Sequence, residues 1–208
     1  MKDINSKYYA ENADSFIENT FSCDMSVQYA FFFKHLRNPE EILDLGFGSG
    51  RDSIYFQSKG IKVVAVDPVE EFCQRGRELG IETVVCASAQ TMDFHHRFDG
   101  IWACASLLHV NDNELVDALS SCREALKDDG VMYASFKYGS FRGERNGRYF
   151  IDLNEETIKP FVEKAGLKIV DVLLTTDVRP ENETKWLNLI LVKTVVNLPG
   201  EFKAKEGK

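Results

Sequence analysis

Short apolar segments alternate with segments of helical period along most of the chain. The apolar segments predict seven strands, at 41–46, 61–66, 81–86, 98–105, 131–137, 167–176 and 186–195. The intervening and preceding segments predict six helices, at 5–20, 24–36, 50–59, 69–78, 112–127 and 154–165. Segment 98–105 is nearly all apolar, which is typical of a strand buried on both faces. This alternation predicts an α/β fold with a doubly wound, mostly parallel, seven-stranded sheet.

The end of the chain departs from this alternation. No helix is predicted between the last two strands, and the roughly ten residues from 177 to 186 suit a hairpin. One of the two strands should therefore run antiparallel to the rest, which is not the dehydrogenase pattern. We expect a single domain over 1–198, with an N-terminal helical lid over 1–38, a core over 40–198 and a flexible tail over 199–208.

Composition limits the possible partners. The 208 residues carry a formal net charge of −8, which disfavours broad nucleic-acid binding because that requires a basic surface. Five widely spaced cysteines make a disulfide framework or zinc site unexpected, and no metal is predicted. No signal peptide or membrane span is predicted, so we expect a cytoplasmic protein, monomeric or homodimeric.

One strand and the turn after it predict a nucleoside site. Strand 41–46 leads into Gly46, Gly48 and Gly50, and the next strand ends at Asp67. Glycines let the backbone approach a ligand, and a carboxylate at a strand end can accept hydrogen bonds from ribose hydroxyls. A dinucleotide motif would place its third glycine at position 51, which is Arg51. A nicotinamide dehydrogenase is thereby disfavoured and remains an alternative.

At these residues the chain resembles the class I S-adenosylmethionine-dependent methyltransferases. The segments Asp44–Gly50 and Phe98–Ala105 resemble the first and fourth strand motifs of that family, and Asp67 resembles its ribose-binding acid. The narrowest resemblance is to small bacterial members labelled tellurite-resistance-related. The resemblance implies a Rossmann-like fold and S-adenosylmethionine as cofactor, with S-adenosylhomocysteine as product.

The same resemblance implies which residues bind the cofactor. Asp67 would hold the ribose diol, although it could instead cap the next helix. Asp44 would bind the amino group of the cofactor, directly or through water, although it could instead make a structural hydrogen bond. The full implied set is Asp44, Gly46, Phe47, Gly48, Gly50, Asp67, Pro68, Ser88, Ala89, Gln90 and Ala105.

Substrate groups should gather at the carboxyl ends of the strands. His109 follows the fourth strand and can accept a proton from a nucleophile; the alternative is that it caps the next helix or packs at its start. The loop 137–149 concentrates arginines that would suit a carboxylate or phosphate, unless it is a solvated surface loop. Arg179 has two interpretations: it binds the substrate, or it only pairs with Asp177. Predicted catalytic residues are His109, Tyr138 and Arg148; predicted substrate-binding residues are Tyr9, Arg142, Arg145, Arg148 and Arg179.

These features predict an enzyme that transfers a methyl group to a small-molecule acceptor, one with an anionic group. Two alternatives stay open: an RNA or protein methyltransferase, and a regulatory module that binds the cofactor without turnover. The acceptor atom is not predicted by the sequence.

Overall fold

A computed structural model describes residues 4–179 and 182–194. Nine strands form a seven-stranded sheet and a separate hairpin: β1 (Glu41–Leu45), β2 (Lys62–Asp67), β3 (Thr83–Cys86), β4 (Phe98–Ala103), β5 (Leu126–Lys137), β6 (Arg142–Arg145), β7 (Arg148–Ile151), β8 (Leu167–Thr176) and β9 (Lys185–Lys193). The helices of this part are α1 (Ile4–Glu11), α2 (Ala13–Thr20), α3 (Ser26–Phe33), α4 (Arg51–Ser58), α5 (Glu70–Glu78), α6 (Asp112–Ala125) and α7 (Glu155–Lys164).

The large sheet has the strand order β3-β2-β1-β4-β5-β9-β8. β1 to β5 pair in parallel, whereas β9 pairs antiparallel with both β5 and β8. β9 is therefore the antiparallel strand of the sheet. The predicted α/β fold, a Rossmann-like and mostly parallel sheet ending in an antiparallel hairpin, is confirmed.

Both faces of the sheet are covered. One face packs α6 and α7 around residues such as Phe136 and Leu119, and the other packs α3 and α4 around Phe32, Phe56 and Trp102. Trp102 stacks on Tyr133 with ring centroids 4.0 Å apart, which ties β4 to β5 on that face. Such two-sided burial explains the nearly all-apolar sequence of the central strands.

Two segments differ from the sequence prediction. The predicted helix 5–20 breaks at Asn12, whose φ of −123° is not helical, so that α1 and α2 are separate. The stretch 138–153, expected to be irregular, contains the β6–β7 hairpin. Its turn is Asn146–Gly147, with φ of 52° and 73°, and these left-handed conformations suit a tight two-residue hairpin turn.

None of the helices in residues 4–179 and 182–194 is long and apolar enough to cross a bilayer. The last residue of the predicted final strand, Val195, and the predicted tail 199–208 lie outside the described residues.

Candidate functional site

A cavity of about 640 Å³ opens at the carboxyl ends of the parallel strands. Gly46 after β1, Asp67 at the end of β2, Ala105 after β4 and Lys137 at the end of β5 all line it. The N-terminal helices close one side, where Tyr9 of α1 joins the lining. Ligands of open α/β sheets bind at this edge, so the cavity is the candidate site.

The glycine turn brings backbone to the cavity wall. Gly46 and Gly48 have φ of +73° and +51°, in the left-handed region that favours glycine. A Cβ on Gly46 would lie 2.3 Å from the Cβ of Ser106, and one on Gly48 would lie 2.9 Å from Phe16. Positions 46 and 48 therefore cannot carry a side chain without displacing the wall of the cavity.

Gly50 has a different reason to be glycine. It does not line the cavity; a Cβ there would lie 2.6 Å from Cδ1 of Leu79, and its φ is +83°. This third glycine lets the start of α4 pack closely against the segment between α5 and β3.

Asp67 makes the helix-cap hydrogen bond given as the alternative, and it also lines the cavity. Its Oδ1 accepts a hydrogen bond from the backbone N–H of Val69 at 2.9 Å, and its Oδ2 accepts one from Gly48 at 3.1 Å. It is also buried at the cavity wall, beside Pro68. Burial raises the pKa of this carboxyl to about 7, against the lowering effect of the two N–H groups. Each oxygen can still accept a second hydrogen bond, as a ribose diol would require.

Asp44 lies behind the wall rather than in it. Ser53 of α4 donates a hydrogen bond to its Oδ2 at 2.6 Å, which is the structural role given as the alternative. Burial and the nearby charge of Asp52 raise the pKa of Asp44 well above its ordinary value.

Sequence reasoning missed the ion pair that follows the turn. Asp52 accepts hydrogen bonds from Arg51, from Tyr29 and from the indole N–H of Trp102, and both Arg51 and Asp52 line the cavity. Burial opposes ionisation, but the charge of Arg51 and the hydrogen bonds from Arg51, Tyr29 and Trp102 together hold the pKa of Asp52 below its usual value. Arg51 also donates to the carbonyl of Thr20, which ties the end of α2 to this wall.

Three buried polar atoms of the lining lack hydrogen-bond partners among the described residues: Oγ of Ser106, Oε1 of Gln28 and Nε of Arg148. An unpaired buried polar atom costs about 1–3 kcal/mol, so these atoms suit a ligand with its own polar groups. The amino-acid end of S-adenosylmethionine has such groups. Ser106 could have been anticipated because it follows the fourth-strand motif, whereas Gln28 stands in an aromatic helix that gives no such signal.

The other predicted cofactor residues lie along the same cavity. Phe47, Ser88, Ala89, Gln90 and Ala105 all line it. Ala105 has a φ of +52°, rare for a residue with a side chain, and its N–H donates to Oγ of Ser135 at 2.8 Å. Such strained backbone tends to occur at functional sites.

His109, Tyr9 and Arg148 meet in the cavity. The Oη of Tyr9 lies 2.8 Å from Nε2 of His109, and Nη1 of Arg148 donates to that Oη at 3.2 Å. The second ring nitrogen of His109, Nδ1, lies 2.8 Å from the carbonyl oxygen of Tyr149. Burial raises the pKa of Tyr9, while Arg148 acts in the opposite direction.

The predicted substrate arginines divide into two groups. Arg148 and Arg179 line the cavity, although Arg179 also forms the anticipated pair with Asp177. Arg142 and Arg145 lie outside the lining: Arg142 pairs with an aspartate of α6, and Arg145 makes a bidentate pair with one after β7, at Asp112 and Asp152 respectively. The exposed side chain of Tyr138 also lies outside the lining.

Lys137 is a cation that sequence reasoning missed. It lines the cavity, and its Nζ lies 4.2 Å from the ring centroid of Phe150. Burial and the charge of Arg145 lower its pKa. A charged residue directly after the buried segment 131–136 was the signal for it.

Side-chain ligand atoms of Glu70, Cys73 and Cys86 lie within 4.8 Å of one another beside the cofactor half of the cavity. Two thiols and a carboxylate can hold a soft divalent cation. Glu70 already pairs with Arg77, and the thiol of Cys73 donates to the carbonyl oxygen of Asp67. We assign no metal to this group.

Comparison with known proteins agrees with this geometry. Residues 42–130 match the model of a methyltransferase domain. An uncharacterized methyltransferase of Staphylococcus carnosus (strain TM300) is 25% identical over 185 residues, which cover 83% of this chain and 89% of the relative.

Solved structures share the fold. The 1,6-didemethyltoxoflavin-N1-methyltransferase of Burkholderia thailandensis, with bound 1,6-didemethyltoxoflavin and S-adenosylhomocysteine, has a TM-score of 0.79 at 23% identity, over 92% of this chain and 88% of its own. The cyclase SpnF has a TM-score of 0.72 at 14% identity, over 92% of this chain and 96% of its own. At such identities the likeness shows the fold and not the reaction.

Proposed function

We propose that the protein is an S-adenosylmethionine-dependent methyltransferase and that it transfers a methyl group to a small-molecule acceptor that carries an anionic group. The observation that carries the proposal is Arg148. Its guanidinium lines the cavity, its Nε is buried without a hydrogen-bond partner, and no carboxylate of the described residues pairs with it. Arg148 is half-buried, and a half-buried guanidinium without a carboxylate partner favours an anion that completes the site.

The cofactor would occupy the glycine-turn half of the cavity. Asp67 would accept hydrogen bonds from the ribose diol, while Pro68 and the segment 88–90 would flank the adenine. The Gly46–Gly48 turn, with Ser106 and Gln28, would hold the amino-acid end. When bound, the sulfonium supplies an activated methyl group, so the protein has mainly to align the acceptor and exclude water.

The acceptor would occupy the opposite half, where Tyr9, His109, Arg148, Lys137 and Arg179 lie. The bound heteroaromatic compound in the Burkholderia thailandensis structure supports a small molecule in such a cavity. Arg142, Arg145 and Tyr138 have no role in this proposal, because their side chains lie outside the lining.

The remaining predictions from the sequence are kept as proposals. A cytoplasmic protein, monomeric or homodimeric, fits the cysteine content and the acidic charge. The narrower resemblance to members labelled tellurite-resistance-related stays a prediction, and we take no acceptor from it.

Matched acceptor pairs test the anionic group. Hydroxybenzoates and aminobenzoates are compared with their carboxamides, with S-adenosylhomocysteine formation as the readout. We expect turnover of the acids, and a loss of kcat/KM of about 10- to 150-fold in Arg148→Gln, because a hydrogen bond to a charged group contributes about 1.5–3 kcal/mol.

Arg142→Gln is the matched control, since it changes an arginine of the same hairpin outside the lining. Preference for the carboxamides, or equal losses in the two variants, would contradict the anionic acceptor.

A further inference from the structure

We infer that Tyr9 and His109 form a proton relay, and that the acceptor atom is therefore a nitrogen or oxygen that must lose a proton. Tyr9 would take the proton from the acceptor while passing its own to Nε2 of His109. This inference rests on the proposed function and adds the chemical class of the nucleophile.

The hydrogen bonds of His109 give the relay its direction. The carbonyl oxygen of Tyr149 can only accept, so Nδ1 of His109, 2.8 Å away, carries the hydrogen. In the neutral ring Nε2 is then a hydrogen-bond acceptor, and the hydroxyl of Tyr9 donates to it at 2.8 Å. The tautomer follows from this hydrogen-bond pattern.

Arg148 stabilises the negative charge that develops on Tyr9 during the proton transfer. Its Nη1 donates to the same hydroxyl oxygen that faces His109, so negative charge arising on that oxygen is stabilised as the proton leaves. Burial nevertheless keeps Tyr9 protonated at rest, because the pKa of this phenol is raised. Tyr9 is therefore not ionised in the resting protein; it accepts one proton as it donates its own.

The lid helix α1 assembles the relay. Asn5, one turn before Tyr9, donates from Nδ2 to the carbonyl oxygen of His109 at 2.9 Å. Its Oδ1 accepts from the backbone N–H of Tyr149 at 2.8 Å. One side chain thus fixes both His109 and the residue that sets its tautomer, so the relay is complete only when α1 is docked.

The chemical step balances without further reactants. The lone pair of the acceptor forms a bond to the methyl carbon, the carbon–sulfur bond breaks, and its electron pair returns to sulfur. The acceptor proton moves to Oη of Tyr9 as the tyrosine proton moves to Nε2 of His109. The imidazolium then releases a proton to water. An acceptor that is already ionised gains nothing from this relay.

The relay is tested with acceptors that differ mainly in acidity. Para-hydroxybenzoate keeps its phenolic proton at neutral pH, whereas its tetrafluoro analogue has lost it. We expect Tyr9→Phe and His109→Asn to lose about 100-fold or more in kcat on the first acceptor, the usual range for general base catalysis, and under about 5-fold on the second. Tyr8→Phe, the matched control on the same helix, should retain activity on both.

Equal losses on both acceptors, or no loss on either, would overturn the relay. Binding of S-adenosylhomocysteine by each variant, measured by calorimetry, should stay within about twofold of wild type if the fold is intact.

A crystal structure with S-adenosylhomocysteine tests the proton relay independently of any acceptor. The sulfur should face Oη of Tyr9 with room for one acceptor atom and one methyl group between them. A sulfur that faces away from Tyr9, or lies directly against it, would overturn the relay. Wild-type enzyme that methylates none of the acids would instead count against the proposed acceptor class, while the crystal structure still decides on the relay.

Discussion

Asp67 should make cofactor affinity depend on pH. It is buried, and its pKa is raised to about 7 by that burial. A ribose diol donates hydrogen bonds, so it binds the ionised carboxylate better than the protonated acid. Affinity for S-adenosylhomocysteine should therefore rise with pH as Asp67 ionises.

The size of the effect follows from the ionised fraction. With a pKa of about 7, about nine-tenths of Asp67 is ionised at pH 8 and about one-tenth at pH 6. If only the ionised form holds the diol, the apparent Kd increases about tenfold from pH 8 to pH 6, or about 1.4 kcal/mol.

Titration calorimetry with S-adenosylhomocysteine at pH 6 and pH 8 measures this directly. Asp67→Asn should bind more weakly at pH 8, because it loses the charge, and its affinity should be nearly the same at both values. Asp93→Asn, an exposed change elsewhere, should keep the wild-type dependence. A wild-type affinity that does not change with pH, or an Asp67→Asn variant with the wild-type slope, would refute the assignment.

Two further pairs of variants test the geometry of the glycine turn and of a helix cap by urea unfolding. Gly46→Ala should lower the free energy of unfolding by more than about 2 kcal/mol, because backbone strain at φ +73° adds to a clash with Ser106. Gly60→Ala, with φ +80° and open space around it, should lower it by only about 1–2 kcal/mol. Equal costs would contradict the clash. Asn154→Ala should cost about 1 kcal/mol because its side chain caps α7, whereas Asn111→Ala should change stability by less than about 0.5 kcal/mol because Asn111 makes no cap hydrogen bond. A larger loss at Asn111 would show that the capping geometry is wrong.

The architecture of the sheet was predictable from local pattern. Strands such as β4 are buried on both faces, so their sequences are continuous apolar segments that differ visibly from helical ones. The absence of a predicted helix between β8 and β9 was enough to indicate the antiparallel strand. The glycine turn and Asp67 were predictable for the same reason, since each lies next to a strand end.

The β6–β7 hairpin was missed although its signal was present. Asn146–Gly147 is a strong two-residue hairpin turn, but the surrounding arginines led to the interpretation of this stretch as a loop. The break at Asn12 had a weaker signal, since the helical period continues through it.

The sequence could not show which arginines line the cavity and which pair with aspartates outside it. Arg142 and Arg145 are neutralised by aspartates that only the tertiary fold brings to them, whereas Arg148 meets no such carboxylate among the described residues. The contact of Tyr9 with His109 joins residues 100 positions apart for the same reason. Such pairings depend on how α1 and the hairpin dock, and no local pattern encodes that docking.

The central claim is methyl transfer to a small anionic molecule, and fractionated acceptors test it most directly. The protein is incubated with methyl-labelled S-adenosylmethionine and, separately, with the small-molecule, RNA and protein fractions of an extract from the cells that produce it. The account predicts label in small molecules that an anion exchanger retains, with matching formation of S-adenosylhomocysteine. Label in RNA or protein, or cofactor binding without turnover in any fraction, would contradict it.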